Sequence, residues 1–511
     1  MKFRDSLRAQ YYLAVLEREI SNATSQFPRP SIFAKDFFSI LCDFSTELSE
    51  ELDQLLLPTI VHELYKSKKL GHLEGSTPFE RYKNFFLNQY GYTSQSRSLI
   101  KTYPYLFEMV DEVTIRSFLN LINCLKRLEI DLEEIKRHFT LSPKCLVEKV
   151  KILSSSDRHR NQQSLLLFFS DSTKLIYKPV DLHLDELFDQ FVQKLDLSAP
   201  FNLVCRKILP KDKYGWLEYL SPDSCDSLED IRQFYKRGGV LLAIADTLNY
   251  SDGHCENILA HSSFPILLDG ETLFQNYAMP IQESKSIIST QLIQKFTKKQ
   301  KNKINYSAFQ ATDEKRFESL FTYAIDDQTD EMRISYSGYS QELNHHRPVF
   351  KGELYNSSDF LEEIIYGFCF CYDLITEKAP QFLKLASWWD KVATVHSRMV
   401  IRNTSAYFYL QRRIQQPEYC KSKKKAEIFI RSKLGDTPYT DYEVKDILEL
   451  NIPYFYHIPG EKHLYDGKNQ CYFQIFPNTA VDWIKKHLMD RSENKKLYDC
   501  KLIRKYLSKQ H

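Results

Sequence analysis

The spacing of apolar residues over the first 150 positions predicts helices. Apolar side chains recur every three or four residues in Phe37–Phe44 and again in Val113–Ile122, which is the period of one face of an α-helix. Few β-branched runs or glycine-containing turns interrupt this part of the chain. We therefore expect a helical N-terminal region over residues 1–150 that packs against the following part.

Near residue 150 the pattern changes to short apolar runs that are separated by turn residues. Such runs predict strands, and two of them around Ser170-Asp171-Ser172 predict a hairpin. The expected elements are strands at Leu165–Phe169 and Lys174–Lys178, a helix with Leu184, Leu187, Phe188, Phe191 and Leu195 on one face, and strands at Leu203-Val204 and Trp216–Leu220.

A long helix and a second hairpin are predicted next. Ser227 is followed by acidic residues, as is typical of a helix N-terminus, and this helix is expected to run to about Leu248. Ile258–Ala260 and Pro265–Asp269 flank a turn and predict the hairpin. Most of the chain after residue 280 is again expected to be helical.

One helix start in that last part has a candidate cap. Asp359 and Glu362 have the spacing of a capping box, which would begin a helix through Tyr372. The neighbouring tryptophans Trp388 and Trp389 are expected in a core.

These patterns together predict an α+β fold. The order strand, helix, strand, hinge, helix, loop and hairpin is that of a kinase lobe pair. We expect a bilobal core, with a small antiparallel sheet in the N-lobe and a mainly helical C-lobe, between helical terminal regions. The four predicted regions are residues 1–150, 151–222, 223–350 and 351–511.

Composition narrows the function class. The 511 residues include 69 Lys and Arg against 67 Asp and Glu, a net charge of only +2. A chain that binds nucleic acid through its overall charge would have a larger basic excess, and a disordered acidic protein would be far more negative. Two basic runs, Lys295–Lys303 and Lys421–Lys425, are interpreted as solvated segments, with attraction of an acidic leader peptide as the alternative.

The location predicted for the chain is cytoplasmic. No apolar stretch approaches the roughly 18 to 20 residues that a membrane helix requires, and the first residues lack the apolar core of a signal peptide. The 11 cysteines form no Cys-x-x-Cys pair. They are expected to be buried thiols in a reducing compartment and not a zinc site.

An ordered set of polar residues has the chemistry of phosphoryl transfer. The set consists of Lys178, Asp252-x-His254-x-x-Asn257 and Asp269. A strand lysine can hold nucleotide phosphates, a carboxylate can orient or deprotonate the attacking hydroxyl, and Asn with Asp can bind Mg²⁺. A Walker A motif is absent, and no glycine lies between Gly91 and Gly215. The set therefore indicates a lipid-kinase-like site, whose phosphate loop need not be rich in glycine.

Several motifs resemble the dehydratase domain of class II (LanM-type) lanthipeptide synthetases. The resemblance covers roughly residues 140–480. It is carried by Tyr177-Lys178-Pro179, Tyr214–Glu218, Asp252-x-His254-x-x-Asn257, Asp269–Phe274, Arg398-x-x-x-Arg402-x-Thr404-x-x-Tyr407 and Ile452–Phe455.

The resemblance implies a dehydratase that uses ATP and Mg²⁺. Ser and Thr of a precursor peptide with a leader would be phosphorylated, and phosphate would then be eliminated to leave dehydroalanine or dehydrobutyrine. By this resemblance, Lys178 would contact the ATP phosphates, and Asp157 and His159 would belong to the phosphate loop. Asp252 would orient or deprotonate the substrate hydroxyl, with His254 beside it, and Asn257 and Asp269 would bind Mg²⁺. Glu271 would support the metal and phosphate region, and Arg398 and Thr404 would serve elimination.

The sequence departs from the family pattern at four places. Arg160–Gln163 replaces the usual two glycines and an arginine, which could crowd the phosphates. Val180 replaces a common arginine, and Asn451 replaces an aspartate. The family's C-terminal cyclase domain would begin where the chain stops, so ring closure is expected to need a separate cyclase or none.

Two other functions remain open at this point. A kinase without elimination would leave a phosphorylated peptide, protein or lipid. A non-catalytic module that binds a peptide would use the same fold without turnover, as the unusual Arg160–Gln163 loop allows.

Overall fold

A computed structural model of the chain describes residues 7–27, 32–86, 96–153, 158–277, 286–295, 305–311, 323–335 and 345–508. The chain forms two compact units, each made of three separate segments. The first unit contains Met1–Pro179, Glu318–Tyr339 and Val400–Tyr454, and the second contains Val180–Phe317, Ser340–Met399 and Phe455–His511.

Helices make up most of the described structure. In chain order they are α1 (Leu13–Gln26), α2 (Phe37–Lys69), α3 (Pro78–Asn84), α4 (Ser96–Thr102), α5 (Pro104–His138), α6 (His183–Leu195), α7 (Leu228–Thr247), α8 (Leu361–Leu383), α9 (Ala386–Val392), α10 (Thr404–Ile414), α11 (Pro417–Cys420), α12 (Lys423–Leu434), α13 (Thr440–Leu448), α14 (Ala480–Met489) and α15 (Glu493–Leu507). None of these helices combines the length and the apolar character that a lipid bilayer requires.

The strands are short. They are β1 (Val147–Ile152), β2 (Leu165–Phe169), β3 (Lys174–Lys178), β4 (Ile208–Lys211), β5 (Tyr214–Glu218), β6 (Ile258–His261), β7 (Phe264–Leu267), β8 (Tyr323–Ile325), β9 (Arg333–Ser335), β10 (Val349–Phe350), β11 (Glu353–Leu354), β12 (Ser397–Met399), β13 (Phe455–His457), β14 (Leu464–Asp466) and β15 (Cys471–Tyr472). The pairs defined by register within each unit are antiparallel.

The first unit is built on the long helices α2 and α5. Both pack against α1 and against each other, and the rings of Phe44 and Phe118 meet edge to face at 5.6 Å in their interface. The antiparallel strands β1, β2 and β3 follow, with Leu167 opposite both Val150 and Leu175. The predicted N-terminal helices and the first hairpin are therefore confirmed.

The second unit has the helices α7 and α8 at its centre. Ser227 caps α7 by accepting the N–H of Asp230 at its start, as the sequence predicted. The two helices cross closely, because a Cβ on Gly239 would overlap the Ile364 carbonyl and one on Gly367 would overlap the Lys236 carbonyl. Absent side chains at these two positions let the backbones approach.

Helix α6 and the second hairpin also agree with the sequence prediction. The five apolar residues expected on one face of α6 are all buried. Strands β6 and β7 pair with Ile258 opposite Leu267, and the side chains of Trp388 and Trp389 are buried in the core of this unit.

Two predictions about local structure are wrong. Leu203-Val204 is not a strand, and Val204 is exposed; the strand that pairs with β5 is β4, five residues later. Asp359 ends a 3₁₀ turn, and Phe360 precedes α8 without a side-chain cap. The part of the chain after residue 351 consists mainly of helices. It also contains β12, β13, β14 and β15, which form an antiparallel four-stranded sheet that the sequence pattern did not indicate. Strands of two or three residues are too short to show a period of two.

The coarse fold prediction is confirmed. The described structure is α+β, with mostly helices and small antiparallel sheets.

Candidate active site

The loop that carries Asp252 begins at the end of α7. Asn249 adopts the left-handed conformation (φ 53°), and the N–H groups of Asn249 and Tyr250 donate to the carbonyls of Asp246 and Ala245. This is a Schellman motif, in which Asn is the usual alternative to Gly. The helix therefore ends sharply, and the loop that carries Asp252 follows directly, with Tyr250 buried.

Asp252, His254 and Asn257 come together as predicted. His254 Nδ1 lies 3.1 Å from Asp252 Oδ1, and Asn257 Nδ2 lies 3.3 Å from Asp252 Oδ2. The same amide donates to the Asp252 carbonyl at 2.9 Å. The side chains of His254 and Asn257 thus contact the two oxygens of the Asp252 carboxylate and fix its orientation.

The environment of His254 favours its charged form. Burial opposes protonation, but hydrogen bonds to the carboxylates of Asp252 and Glu256 outweigh it and raise the pKa of His254 to about 11. An imidazolium donates from both nitrogens and cannot accept a proton. In this geometry His254 orients Asp252.

The hairpin places Asn257 and Asp269 at the same end. The Leu268 N–H donates to the Asn257 carbonyl at 2.8 Å, one residue before Asp269. Because Nδ2 of Asn257 points to Asp252, its amide oxygen is the atom left to face a cation. An amide oxygen and a carboxylate are donors that Mg²⁺ accepts. Among the described residues no cluster of three His, Cys, Asp or Glu side chains could hold a metal, so nucleotide phosphates and water would have to complete the shell.

Glu271 and Arg398 form a pair across the chain. The Arg398 guanidinium bonds to the Glu271 carboxylate, and the Arg398 N–H donates to the Glu271 carbonyl at 2.7 Å. Gln275 strengthens the join, since its amide donates to Ser397 Oγ at 3.0 Å and to the Arg398 carbonyl. The two residues that the resemblance assigned separately are therefore one ion pair next to Asp269.

In the first unit, the loop without glycines has a two-residue turn. Arg160 and Asn161 have φ of 50° and 65°, and His159 and Gln162 exchange backbone hydrogen bonds across them at 3.0 and 2.8 Å. Two consecutive positive φ values define a type I′ turn. The predicted Asp157 lies outside the described residues.

The side chains of this turn have partners in the segment that begins at Asn451. Asn161 and Asn451 exchange two hydrogen bonds, at 3.0 and 2.6 Å, and the Arg160 guanidinium lies 4.4 Å from the centre of the Tyr454 ring. His159 Nδ1 lies 2.8 Å from the Ile452 carbonyl oxygen. Two departures from the family pattern, Asn161 and Asn451, therefore bind each other.

Lys178 and Thr404 also lie in the first unit. Lys178 is the last residue of β3 and is half-buried. Thr404 is the first residue of α10, where Asn403 caps the helix by accepting the N–H of Ser405. Arg402, from the same motif, donates to the buried carboxylate of Glu443 at 2.7 Å.

The structure thus brings together six predicted residues in the second unit, while Lys178, His159 and Thr404 lie in the first. The six are Asp252, His254, Asn257, Asp269, Glu271 and Arg398. The motifs do not include the buried residues that contact this group, Tyr250, Asp185 and Arg206, nor Glu443, which pairs with Arg402 in the first unit. No sequence signal of the kind used could have found these, because each partner lies far away in the chain or belongs to no motif.

Two lysines of the second basic run contact side chains of the first unit. Lys423 pairs with Glu108, and the ammonium group of Lys421 lies 5.4 Å from the centre of the Tyr103 ring. Of the other run only Lys295 belongs to the described residues.

The chain is similar to known proteins over most of its length. The sequence model of a family described as a domain of unknown function (DUF4135) matches residues 103–457. The lacticin 481/lactococcin biosynthesis protein LcnDR2 of Lactococcus lactis subsp. lactis is 27% identical over 446 residues, which cover 76% of this chain and 44% of LcnDR2. The chain therefore spans less than half the length of this curated relative. Both matches confirm the resemblance to LanM-type dehydratases.

Proposed function

The chain belongs to the DUF4135 family, and on this premise we propose that it is a lanthipeptide-type dehydratase. It phosphorylates Ser and Thr of a precursor peptide that carries a leader, using ATP and Mg²⁺, and then eliminates phosphate. Similarity to a protein of lacticin 481 biosynthesis supports a role in peptide modification. The observation that carries the proposal is the placement of His254 and Asn257 on the Asp252 carboxylate, beside the hairpin end that carries Asp269.

In the first step the chain prepares a hydroxyl for attack. Asp252 accepts a hydrogen bond from the Ser or Thr hydroxyl and takes its proton as the oxygen bonds to the γ-phosphorus of ATP. The bond between that phosphorus and the β–γ bridging oxygen breaks, and ADP leaves with its electron pair. His254 and Asn257 hold the Asp252 carboxylate in place. Asn257 and Asp269 would hold Mg²⁺, which neutralises phosphate charge when it is bound.

In the second step the chain stabilises a departing phosphate. The Cα–H and Cβ–O bonds of the phosphorylated residue break, the proton passes to a base, and phosphate leaves with the Cβ–O electron pair. The guanidinium of Arg398 offers paired donors to that growing negative charge, and Thr404 adds a hydroxyl. The product carries a Cα=Cβ double bond.

The proposal extends to the phosphate-binding region and the lobes. Lys178 contacts the ATP phosphates, Asp157 and His159 belong to the phosphate loop, and Glu271 supports the metal region through its pair with Arg398. The antiparallel strands and the helical part that carries Asp252 correspond to the two lobes of a lipid-kinase-like core.

The test is an intact mass of a Ser- and Thr-containing precursor peptide after incubation with the protein, ATP and Mg²⁺. We expect a product lighter by one or more waters, and none with Asp269→Asn. A product heavier by phosphate would show a kinase without elimination. An unchanged peptide together with no Mg-ATP binding would show a non-catalytic module.

A further inference from the structure

The two peptide groups on either side of Asp269 form hydrogen bonds with three buried side chains from other elements. Arg206 donates to the Leu268 carbonyl, Tyr250 donates to the Asp269 carbonyl at 3.1 Å, and Asp185 accepts the Gly270 N–H at 3.1 Å. All three side chains belong to residues at most 8% exposed. None of them belongs to the motifs that identify the family.

Tyr250 joins two loops of the site. Its hydroxyl lies 3.1 Å from the Asp252 carbonyl and 3.1 Å from the Asp269 carbonyl. The hydroxyl has a single hydrogen, so the two carbonyl oxygens share one donor. One donor therefore sets the distance between the loop that orients the substrate and the loop that carries the metal ligand.

Asp185 and Arg206 complete the support on the other side of the loop. A Cβ on Gly270 would come within 2.9 Å of Asp185 Oδ1, so only glycine lets the loop approach this carboxylate. Arg206 is buried, and it feels the attraction of both Asp185 and Asp269. Three buried side chains thus hold the two peptide units that flank Asp269.

We propose that Tyr250, Asp185 and Arg206 are positioning residues that set the metal affinity of Asp269 by fixing its peptide units. This inference rests on the proposed function, since it assumes that Asp269 binds Mg²⁺. It predicts that loss of the Tyr250 hydroxyl weakens metal binding without removing a metal ligand.

The test compares two buried tyrosines of the same unit. Tyr250→Phe removes the bridging hydroxyl, and Tyr235→Phe removes a hydroxyl that donates to the Tyr355 carbonyl at 2.7 Å, in another part of the unit. Both variants of the full chain lose one buried hydrogen bond, so both should lose similar stability. The first readout is Mn²⁺ binding in the presence of ATP, with Mn²⁺ as a probe for Mg²⁺. The second is amide hydrogen exchange of residues 268–271.

With Tyr250→Phe we expect about fivefold to tenfold weaker Mn²⁺ binding, as the loss of one buried hydrogen bond allows, and faster exchange at residues 268–271. Tyr235→Phe should leave both unchanged. Equal Mn²⁺ affinity or equal exchange in the two variants would overturn the inference. Faster exchange in Tyr250→Phe, together with no Mn²⁺ binding by the unmutated chain, would overturn the proposed metal site instead.

A second, independent observation concerns two cysteines of the second unit. Cys369 of α8 and Cys500 of α15 are partly exposed, and their sulfur atoms lie 3.3 Å apart. This contradicts the expectation that the cysteines are simply buried. Ion pairs Lys496–Asp373 and Arg504–Glu362 already join the same two helices, so a bond between the sulfurs would need little movement.

The two thiols differ in character. The hydrogen bond with Cys500 and the nearby Lys496 ammonium lower the pKa of Cys369, while burial raises it. The result is a pKa of about 7. The same contact raises the pKa of Cys500. Cys369 is therefore the more reactive nucleophile and Cys500 the resolving thiol.

We infer that Cys369 and Cys500 form a reversible disulfide in the presence of a low-molecular-weight disulfide. The Cys369 thiolate attacks that disulfide and releases one thiol. The Cys500 thiolate then attacks Cys369 Sγ of the mixed disulfide and releases the second. Two protein thiols are oxidised to one disulfide while the oxidant is reduced to two thiols.

The test treats the reduced full chain with glutathione disulfide, counts the remaining thiols and maps linked peptides by mass. The unmutated chain and the control Cys471→Ser, another partly exposed cysteine, should each lose two thiols and yield a peptide that links residues 369 and 500. Cys369→Ser and Cys500→Ser should form no internal link. Absence of that linked peptide from the unmutated chain would overturn the inference.

Discussion

Arg398 and Arg402 are four residues apart in one motif but have different surroundings. Arg398 contacts Glu271, two residues after the proposed metal ligand Asp269. Arg402 bonds to Glu443, whose side chain is fully buried and also accepts the Tyr407 hydroxyl at 2.6 Å. A buried carboxylate needs these donors. The first arginine therefore belongs to the proposed chemistry and the second to the fold.

Substitution separates these two roles. We expect Arg398→Ala to slow elimination on the order of a hundredfold or more, because a donor to the leaving phosphate is lost, so phosphorylated peptide accumulates. Arg402→Ala should instead cost about 3 kcal/mol of unfolding free energy, because the buried Glu443 carboxylate loses the positive charge that Arg402 places beside it. Product masses and thermal unfolding of both variants give the two readouts. Efficient dehydration by Arg398→Ala would remove Arg398 from the reaction.

At the scale of single elements, the turn at Arg160 and Asn161 shows how a loop without glycine keeps its shape. Asparagine tolerates positive φ better than other side chains, and the bond to Asn451 holds it there. Two side chains that were expected to crowd the phosphate loop have other contacts: Asn161 bonds to Asn451, and Arg160 lies over the ring of Tyr454.

The turn can be tested by two substitutions at one residue. Asn161→Val should destabilise the protein by about 1–2 kcal/mol, since a β-branched residue is strained at positive φ. Asn161→Gly keeps the backbone and loses the side-chain bond to Asn451, so its cost should be about 1 kcal/mol or less. Chemical denaturation measures both. Equal losses would mean that the positive φ does not limit this position.

The crossing of α7 and α8 allows a similar comparison at neighbouring glycines. Gly239→Ala places a methyl group into the backbone of α8 and should cost about 3 kcal/mol. Gly238→Ala meets only the Phe309 ring, at 3.0 Å, which can shift, and alanine favours the helix by about 1 kcal/mol. Urea denaturation should separate the two variants clearly, and similar midpoints would contradict the close crossing.

For the whole molecule, one buried histidine predicts how stability responds to pH. His457 of β13 is fully buried, and desolvation lowers its pKa to about 3. In the unfolded chain His457 binds a proton near pH 6.5, whereas in the folded chain it binds one only near pH 3. The contribution of neutral His457 to the unfolding free energy is therefore fully present above pH 6.5. It is lost as the pH falls from 6.5 toward 3, by about 1.4 kcal/mol per pH unit.

His457→Phe tests this, because phenylalanine keeps an aromatic ring next to Phe476 and cannot bind a proton; any cost of its larger ring is the same at every pH. The variant should lose the contribution of His457 to the fall in stability between pH 6.5 and about 3, as measured by the unfolding free energy. His463→Phe changes a partly exposed histidine directly before β14, and its pH profile should match that of the unmutated chain. Identical pH profiles for all three proteins would mean that His457 accepts a proton in the folded state.

Local sequence patterns were sufficient to predict those elements whose start, face or turn is determined by residues close together in the chain. The cap at Ser227, the apolar face of α6 and both hairpins follow from residues close together in sequence, because capping, helical period and turn chemistry act over a few positions. The motif of Asp252, His254 and Asn257 was also found this way, since six residues span it.

Long-range pairing was decided only by the folded structure. Glu271 meets Arg398 across 127 positions, and Asn161 meets Asn451 across 290. The sheet of β12 to β15 has strands of two or three residues, whose stability depends on the neighbours they pair with and not on their own pattern. Each compact unit combines three separate segments. Such partners are selected by burial and charge in three dimensions, and a linear pattern carries no record of them.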